Sequence, residues 1–316
     1  MKKRHKITLV VAFSALLIFL IYILNKIIFV VSTMKELLYS PNSNYYNWRF
    51  GKIFYTKKGS GSPVLLIHDI DCTSSDYEWK EIVQKLSETH TVYTIDLLGC
   101  GRSDKPKMTY TNYLYVQLIS DFIKNVIKHK TDIVATGKTS SAVIMACYID
   151  TLLFGNLILI NPSKLTGMNK VPKYKHKLLK YLIDCPIIGT LIYNVAVSKP
   201  MIKDTFKDLY YQNSSKIRSK YVNAYHEAAH IGGSSSKYLY SSIKCHYLDT
   251  NIVHALKELN NSIYIIGGEH NTFIDEIFID YTTLNPSIET CKLNNCKHLP
   301  QLENPKELLN TFDLFL

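Results

Sequence analysis

The chain has 316 residues, 47% of them apolar, and a formal charge of +11. That is enough to bury the full core of one large domain plus an appendage. No disulfide framework is needed or evident. The seven cysteines (Cys72, Cys100, Cys147, Cys185, Cys245, Cys291 and Cys296) match no zinc knuckle or paired redox motif, and Cys147 lies within an apolar segment. The positive charge favours an acidic neighbour. With an apolar N-terminus, anionic lipid headgroups come ahead of nucleic acid, for which no motif is present.

The chain opens with Lys2, Lys3, Arg4 and Lys6, followed by a nearly continuous apolar run over residues 7–24 that can extend to Val31 if Asn25 and Lys26 snorkel. A bilayer core takes about 20 apolar residues as a helix, so residues 1–33 are expected to form an N-terminal transmembrane anchor. A cleaved signal peptide, processed near Val30-Val31-Ser32, is the alternative. The four leading positive charges put the N-terminus in the cytoplasm and the domain on the extracytoplasmic side, although Lys26 and Lys35 reduce that asymmetry.

Residues 45–57 predict a hairpin-like pair of strands, closed by the turn Lys58-Gly59-Ser60-Gly61-Ser62. Short apolar runs at 63–68, 91–96, 132–136 and 156–160 read as strands buried on both faces. Helical spacing over 77–88, 112–128 and 140–153 separates them. This alternation specifies an α/β domain with a mostly parallel sheet. Residues 163–258 interrupt it with a helical stretch rich in Lys and Tyr, punctuated by Pro172, Pro186 and Pro200. A strand at 263–266, a helix at 272–284, a weak strand at 287–293 and a helix from Pro305 complete the pattern. The expected division is a core of 45–162 and 259–316 with a helical cap inserted at 163–258.

Four local patterns carry a resemblance. They are Ile67-His68-Asp69, the turn Asp96-Leu97-Leu98-Gly99-Cys100-Gly101-Arg102-Ser103, the strand-to-helix joint Gly137-Lys138-Thr139-Ser140-Ser141, and Lys297-His298-Leu299-Pro300 near the C-terminus. In this order they resemble the α/β-hydrolase family, over roughly residues 45–316. The resemblance implies an α/β-hydrolase fold with a helical cap. It makes Gly137–Ser141 a nucleophile elbow with Thr139 as nucleophile and His298 as general base. The backbone amides of Ile70 and Ser140 would form the oxyanion hole. Asp96 and Arg102 are expected to tie their turn together, and Lys138 to face solvent or pair with the cap.

Three departures stand out. An elbow nucleophile adopts positive φ, which is costly for β-branched Thr139. Ser141 replaces the usual small Gly. The acid expected after strand 263–266 is Asn271, which can orient a histidine but cannot balance an imidazolium charge. Glu269 is the nearest substitute, ahead of Asp275, and the alternative acid position offers only Asn161 and Ser163. The leading expectation is hydrolysis of an ester-like bond in a small or lipid-like substrate, without metal or organic cofactor. A catalytically inactive relative serving as a binding or scaffold protein is the alternative.

Two further patterns compete. Gly137-Lys138-Thr139 resembles the end of a phosphate-binding loop, but Asp132 stands where its first glycine belongs. His226-Glu227-Ala228-Ala229-His230 matches a zinc peptidase motif, with both histidines on one helix face and Glu227 as general base. Ser236 occupies the position of a third histidine, so zinc chemistry ranks third. The basic run Lys164 to Lys180 reads as a solvated face or a headgroup contact.

Overall fold

The computed structural model describes residues 2–41 and 43–316. Helix α1 (Lys2–Thr33) is long and apolar enough to cross a bilayer. Its side chains are largely exposed up to Leu24. From Asn25 onward it packs against the domain.

The domain is built on an eight-stranded sheet. Its strands are β1 (Asn44–Trp48), β2 (Gly51–Lys58), β3 (Pro63–Ile67), β4 (Thr91–Ile95), β5 (Thr131–Thr136), β6 (Phe154–Ile160), β7 (Ile263–Gly268) and β8 (Glu289–Leu293). Their spatial order is β1-β2-β4-β3-β5-β6-β7-β8. β1 and β2 form an antiparallel hairpin, and β2 runs antiparallel to β4. All other neighbours are parallel. The apolar strand runs are continuous because both faces are covered. Leu65, Ile67, Ile133 and Ala135 face one core, shared with Leu118, Ile119, Ala142 and Val143. Val64, Leu66 and Val134 face the other, shared with Trp79, Leu308 and Phe312.

The helices follow in order: α2 (Val83–Leu86), α3 (Asn112–Phe122), α4 (Thr139–Ile149), α5 (Tyr174–Asp184), α6 (Ile188–Ala196), α7 (Lys199–Thr205), α8 (Ser219–His230), α9 (Lys237–Lys244), α10 (Val253–Glu258), α11 (Ile274–Leu284), α12 (Pro300–Glu303) and α13 (Pro305–Phe315). The expected helix over 77–88 is broken into a tight turn, Asp76–Trp79, and α2. Asp76 is drawn to Arg102 and Thr94, which pins that turn against the end of β4. Six helices lie between β6 and β7. α10 packs against α4 and α11, so the chain returns to the flank of the sheet at about Val253, before residue 258.

Because β4 and β5 lie on opposite sides of β3, the strand order reverses there. The crevice beyond the carboxyl ends of β3 and β5 is where open α/β sheets bind ligands.

Candidate active site

His68 follows β3 and is fully buried. The Leu97 N–H donates to its Nε2 at 3.0 Å, so Nδ1 carries the proton, which it donates to the Asp69 carbonyl at 2.7 Å. Burial holds its pKa below the usual histidine value. The ring is a neutral brace between two strand ends.

Asp69, the next residue, is the centre of the site. Its Oδ1 accepts the Lys138 N–H at 2.7 Å, and its Oδ2 lies 3.8 Å from the Lys138 ammonium and 4.0 Å from His298 Nε2. Burial alone would push this carboxyl up. The Lys138 ammonium and His298 outweigh it, and the carboxyl is held well below the usual range.

The turn from β5 into α4 explains how Asp69 gets there. Its positive φ, +59°, falls on Gly137, and Lys138 already has helical dihedrals. A Cβ at Gly137 would sit 2.5 Å from Asp69 Cγ and 2.6 and 2.7 Å from its oxygens. Asp69 therefore fills the space into which an apex side chain would project. The residue after the apex is Lys138, and Asp69 accepts its amide.

Thr139 is accordingly not the apex. It lies in the first turn of α4, fully buried, with its hydroxyl donating to the His68 carbonyl at 2.7 Å. The Ser140 amide is also displaced from its expected role, because it donates to the Gly137 carbonyl at 3.2 Å within the helix turn. Ile70 does follow Asp69 in the loop after β3, and its side chain is in the core. Lys138 pairs with Asp69 of the sheet loop rather than with a residue of the helical segment.

His298 is where the sequence placed it, in the loop between β8 and α12. Its amide donates to the Tyr210 carbonyl at 3.1 Å, and its ring stacks on Tyr210 at 5.5 Å and 19°. Tyr210 ends a single wide helical turn, Phe206–Tyr210, that extends α7. The Asn161 side-chain amide donates to the carbonyls of Lys297 and His298 and so clamps the loop.

Glu269 does not serve His298. It is exposed, accepts the Asn295 N–H at 3.2 Å and lies 3.7 Å from His270. Asp275 pairs with Lys292. At the two acid positions, Asn271 donates its amide to Asn161 Oδ1 at 2.8 Å, so they bond to each other. Among the described residues, Asp69 supplies the one carboxylate recorded within ion-pair distance of the His298 ring.

Behind the site, the buried Glu78 accepts the Asp69 N–H at 3.4 Å. Burial and the Asp69 charge push its carboxyl up to about 8. In front lies a cavity of about 420 Å³, lined by Asp69, Lys138 and His298, by the apolar or aromatic Ile202, Leu209, Tyr210, Tyr225 and Phe273, and by further polar residues such as Asp71, Lys244 and Asn271. A concave site that combines apolar and aromatic walls with convergent polar groups is the usual form of a small-molecule site.

The sequence carries a signal for Asp69. Gly137 is the one glycine between residues 102 and 154, and a positive φ costs glycine least. Placing the apex there moves the nucleophile position two residues upstream of Thr139 and empties it. The Asp in place of the usual Gly after His68 then has a place to go.

Residues 64–311 match the α/β hydrolase family. The chain belongs to that family. The soluble epoxide hydrolase of Corynebacterium sp. is 21% identical over 273 residues, 82% of this chain and 92% of that protein. The first curated relatives match at 32% identity over 108 residues, and the chain spans only 31% of their length. A serine hydrolase involved in carbazole degradation superposes with a TM-score of 0.71 at 17% identity, covering 86% of this chain and 97% of that one. A membrane phospholipase A, described as a bacterial virulence factor, gives 0.67 at 16% identity, covering 100% of this α/β hydrolase and 98% of the other. At these identities the two structures share the fold.

The zinc motif falls on α8. His226 and His230 share a face with ring centroids 4.3 Å apart, and His230 Nδ1 bonds the His226 carbonyl. Phe29 of α1 packs against the His230 ring at 5.5 Å, while Glu227 accepts the Leu38 N–H at 3.0 Å. Among the described residues no group of three or more His, Cys, Asp or Glu side chains is placed to hold a metal ion. The motif is used to seat the N-terminal segment.

Proposed function

We propose that this α/β hydrolase is a membrane-anchored hydrolase in which Asp69, reaching across from β3, replaces the nucleophile that the β5–α4 turn lacks. The helices between β6 and β7 act as its cap. The observation that carries this reading is the Asp69 carboxylate filling the side-chain space of Gly137, one oxygen on the Lys138 amide and the other toward His298. A saturated electrophilic carbon fits this arrangement better than an ester carbonyl, because Asp69 itself occupies the amide that would hold an ester oxyanion.

In the proposed cycle Asp69 Oδ2 attacks the carbon, and the leaving oxygen takes a proton from the Lys138 ammonium. His298 then removes a proton from water, which adds to Asp69 Cγ while the Lys138 amide holds the charge developing on Oδ1. Cleavage of the Cγ–Oδ2 bond releases the alcohol and leaves a water oxygen in the carboxylate. The His298 proton goes to the departing alkoxide, and the second water proton, left on the Asp69 carboxyl, restores the Lys138 ammonium. The apolar walls support a small or lipid-like substrate, and the named activity of the Corynebacterium relative supports displacement at carbon. The leading basic residues support an extracytoplasmic domain.

The Asn161–Asn271 pair favours a second reading, a binding protein whose oxyanion site is stoppered by Asp69. Single turnover in ¹⁸O-water over a panel of epoxides, alkyl halides and esters separates the two. The hydrolase predicts ¹⁸O in the peptide carrying Asp69. Ligand binding without turnover or label would leave the binding protein standing.

A further inference from the structure

Helix α5 is inside out. Lys180 and Ile183 form its buried face, with the Lys180 ammonium on Asp184 at 2.6 Å and on Ser241 at 3.2 Å. Its outward face carries Tyr174, Leu178, Tyr181 and Leu182, at helical spacing, and they are 83%, 60%, 77% and 47% exposed. A water-facing helix places lysine outside and leucine inside. α6 continues the surface with Ile188 and Val195, 48% and 61% exposed, after a bend of 97°. An apolar face of this extent marks a contact with another apolar phase.

The position of α1 identifies that phase. Asn25 donates to the Ile187 carbonyl at the α5–α6 bend at 3.0 Å, and its own oxygen accepts from Asn194 of α6 at 2.9 Å. From His5 on, Asn25 is the first buried residue of α1, and beyond it Ile27, Val30 and Val31 stay 54%, 62% and 59% exposed; the 20 residues from His5 to Leu24 already span about 30 Å, the thickness of a bilayer core. The bend therefore lies beside turns of α1 that still carry exposed apolar side chains. Lys175 and Lys177 are exposed on the same helix and Lys173 just before it, where headgroups would meet them.

We propose that α5 and α6 are immersed in the acyl-chain boundary of the leaflet from which α1 emerges, a second contact lying in the membrane plane beside the span. α6 ends in Ala196, which with the next residue, Val197, lines the cavity. A lipid-dissolved substrate thus meets the site along this helix. The membrane contact itself stands or falls independently of the Asp69 chemistry.

The test uses the full chain in vesicles with acyl-brominated phospholipids, which quench only tryptophans in contact with the tails. Both native tryptophans, Trp48 and Trp79, are buried in the domain. Single substitutions Leu182→Trp and Ile188→Trp should be quenched by more than half. Leu24→Trp serves as the inserted reference, and Leu152→Trp, exposed at the opposite end of the sheet, should be unaffected. Quenching at residue 24 but not at 182 or 188 overturns the proposal. Cross-linking between copies through 182 and 188 without quenching also overturns it, and assigns the face to a second copy of the chain.

Discussion

Two buried carboxylates sit at the ends of neighbouring strands and are used in opposite ways. Asp96, after β4, is fully enclosed, with Oδ1 accepting from the Asp76 amide and Arg102 Nη2 and Oδ2 from the Arg102 amide and Nε, at 2.7 to 3.1 Å. Asp69, after β3, takes one close hydrogen bond on Oδ1. Its Oδ2 has the Lys138 ammonium at 3.8 Å and His298 Nε2 at 4.0 Å, and the residue lines the cavity. The first carboxylate has its bonding capacity consumed by the fold. The second is ionised, oriented and left with capacity to spare, which is what a reacting group requires.

Substitutions can break this contrast. Asp69→Asn should lower turnover by about ten-thousand-fold or more while the unfolding midpoint stays near that of the wild type. If both fall together, Asp69 is as structural as Asp96. Asp96→Ala should do the reverse, costing about 3–5 kcal/mol in denaturant unfolding by leaving the Arg102 guanidinium without its main partner. Gly137→Ala forces a methyl group against the Asp69 carboxylate and should cost roughly 1–3 kcal/mol. The paired change Asp69→Gly with Gly137→Ser moves the oxygen back to the apex. A fluorophosphonate probe should label that double variant and not the wild type.

The smallest expected effect is a pH dependence. Glu78 has its carboxyl raised to about 8 in the folded chain, so between its unfolded value and pH 8 the folded state binds the extra proton. Stability from this group is then present below the unfolded value and falls as pH rises toward 8. Glu78→Gln should remove that slope, gaining at least about 1 kcal/mol more at pH 8 than at pH 5 in paired denaturant titrations.

The sheet was readable because runs such as Val64–Ile67 and Ile133–Ala135 are apolar throughout, which only a strand covered on both faces requires. The missing acid was readable as well, since Asn271 and Asn161 stand at both positions where it could lie. The β5–α4 turn has its apex at Gly137, two residues before the position that the Gly137–Ser141 spacing indicates. Spacing alone let Gly137-Lys138-Thr139 pass as an elbow, while the backbone preference of Thr139 argued against it. The break at Asp76–Val83 depends on Arg102, and the fate of His226 and His230 depends on Phe29. These contacts join residues far apart in the chain, and helical periodicity carries no trace of them.

The seating of α1 has a practical consequence for anyone trimming this protein for study. Removing residues through Leu24 discards most of the exposed apolar turns and keeps Asn25, Phe29 and Leu38 in their sockets. Starting the chain beyond Leu38 strips Glu227 of its amide donor and exposes the histidine face of α8. The shorter version is expected to be the less soluble one, although it carries less of the apolar helix.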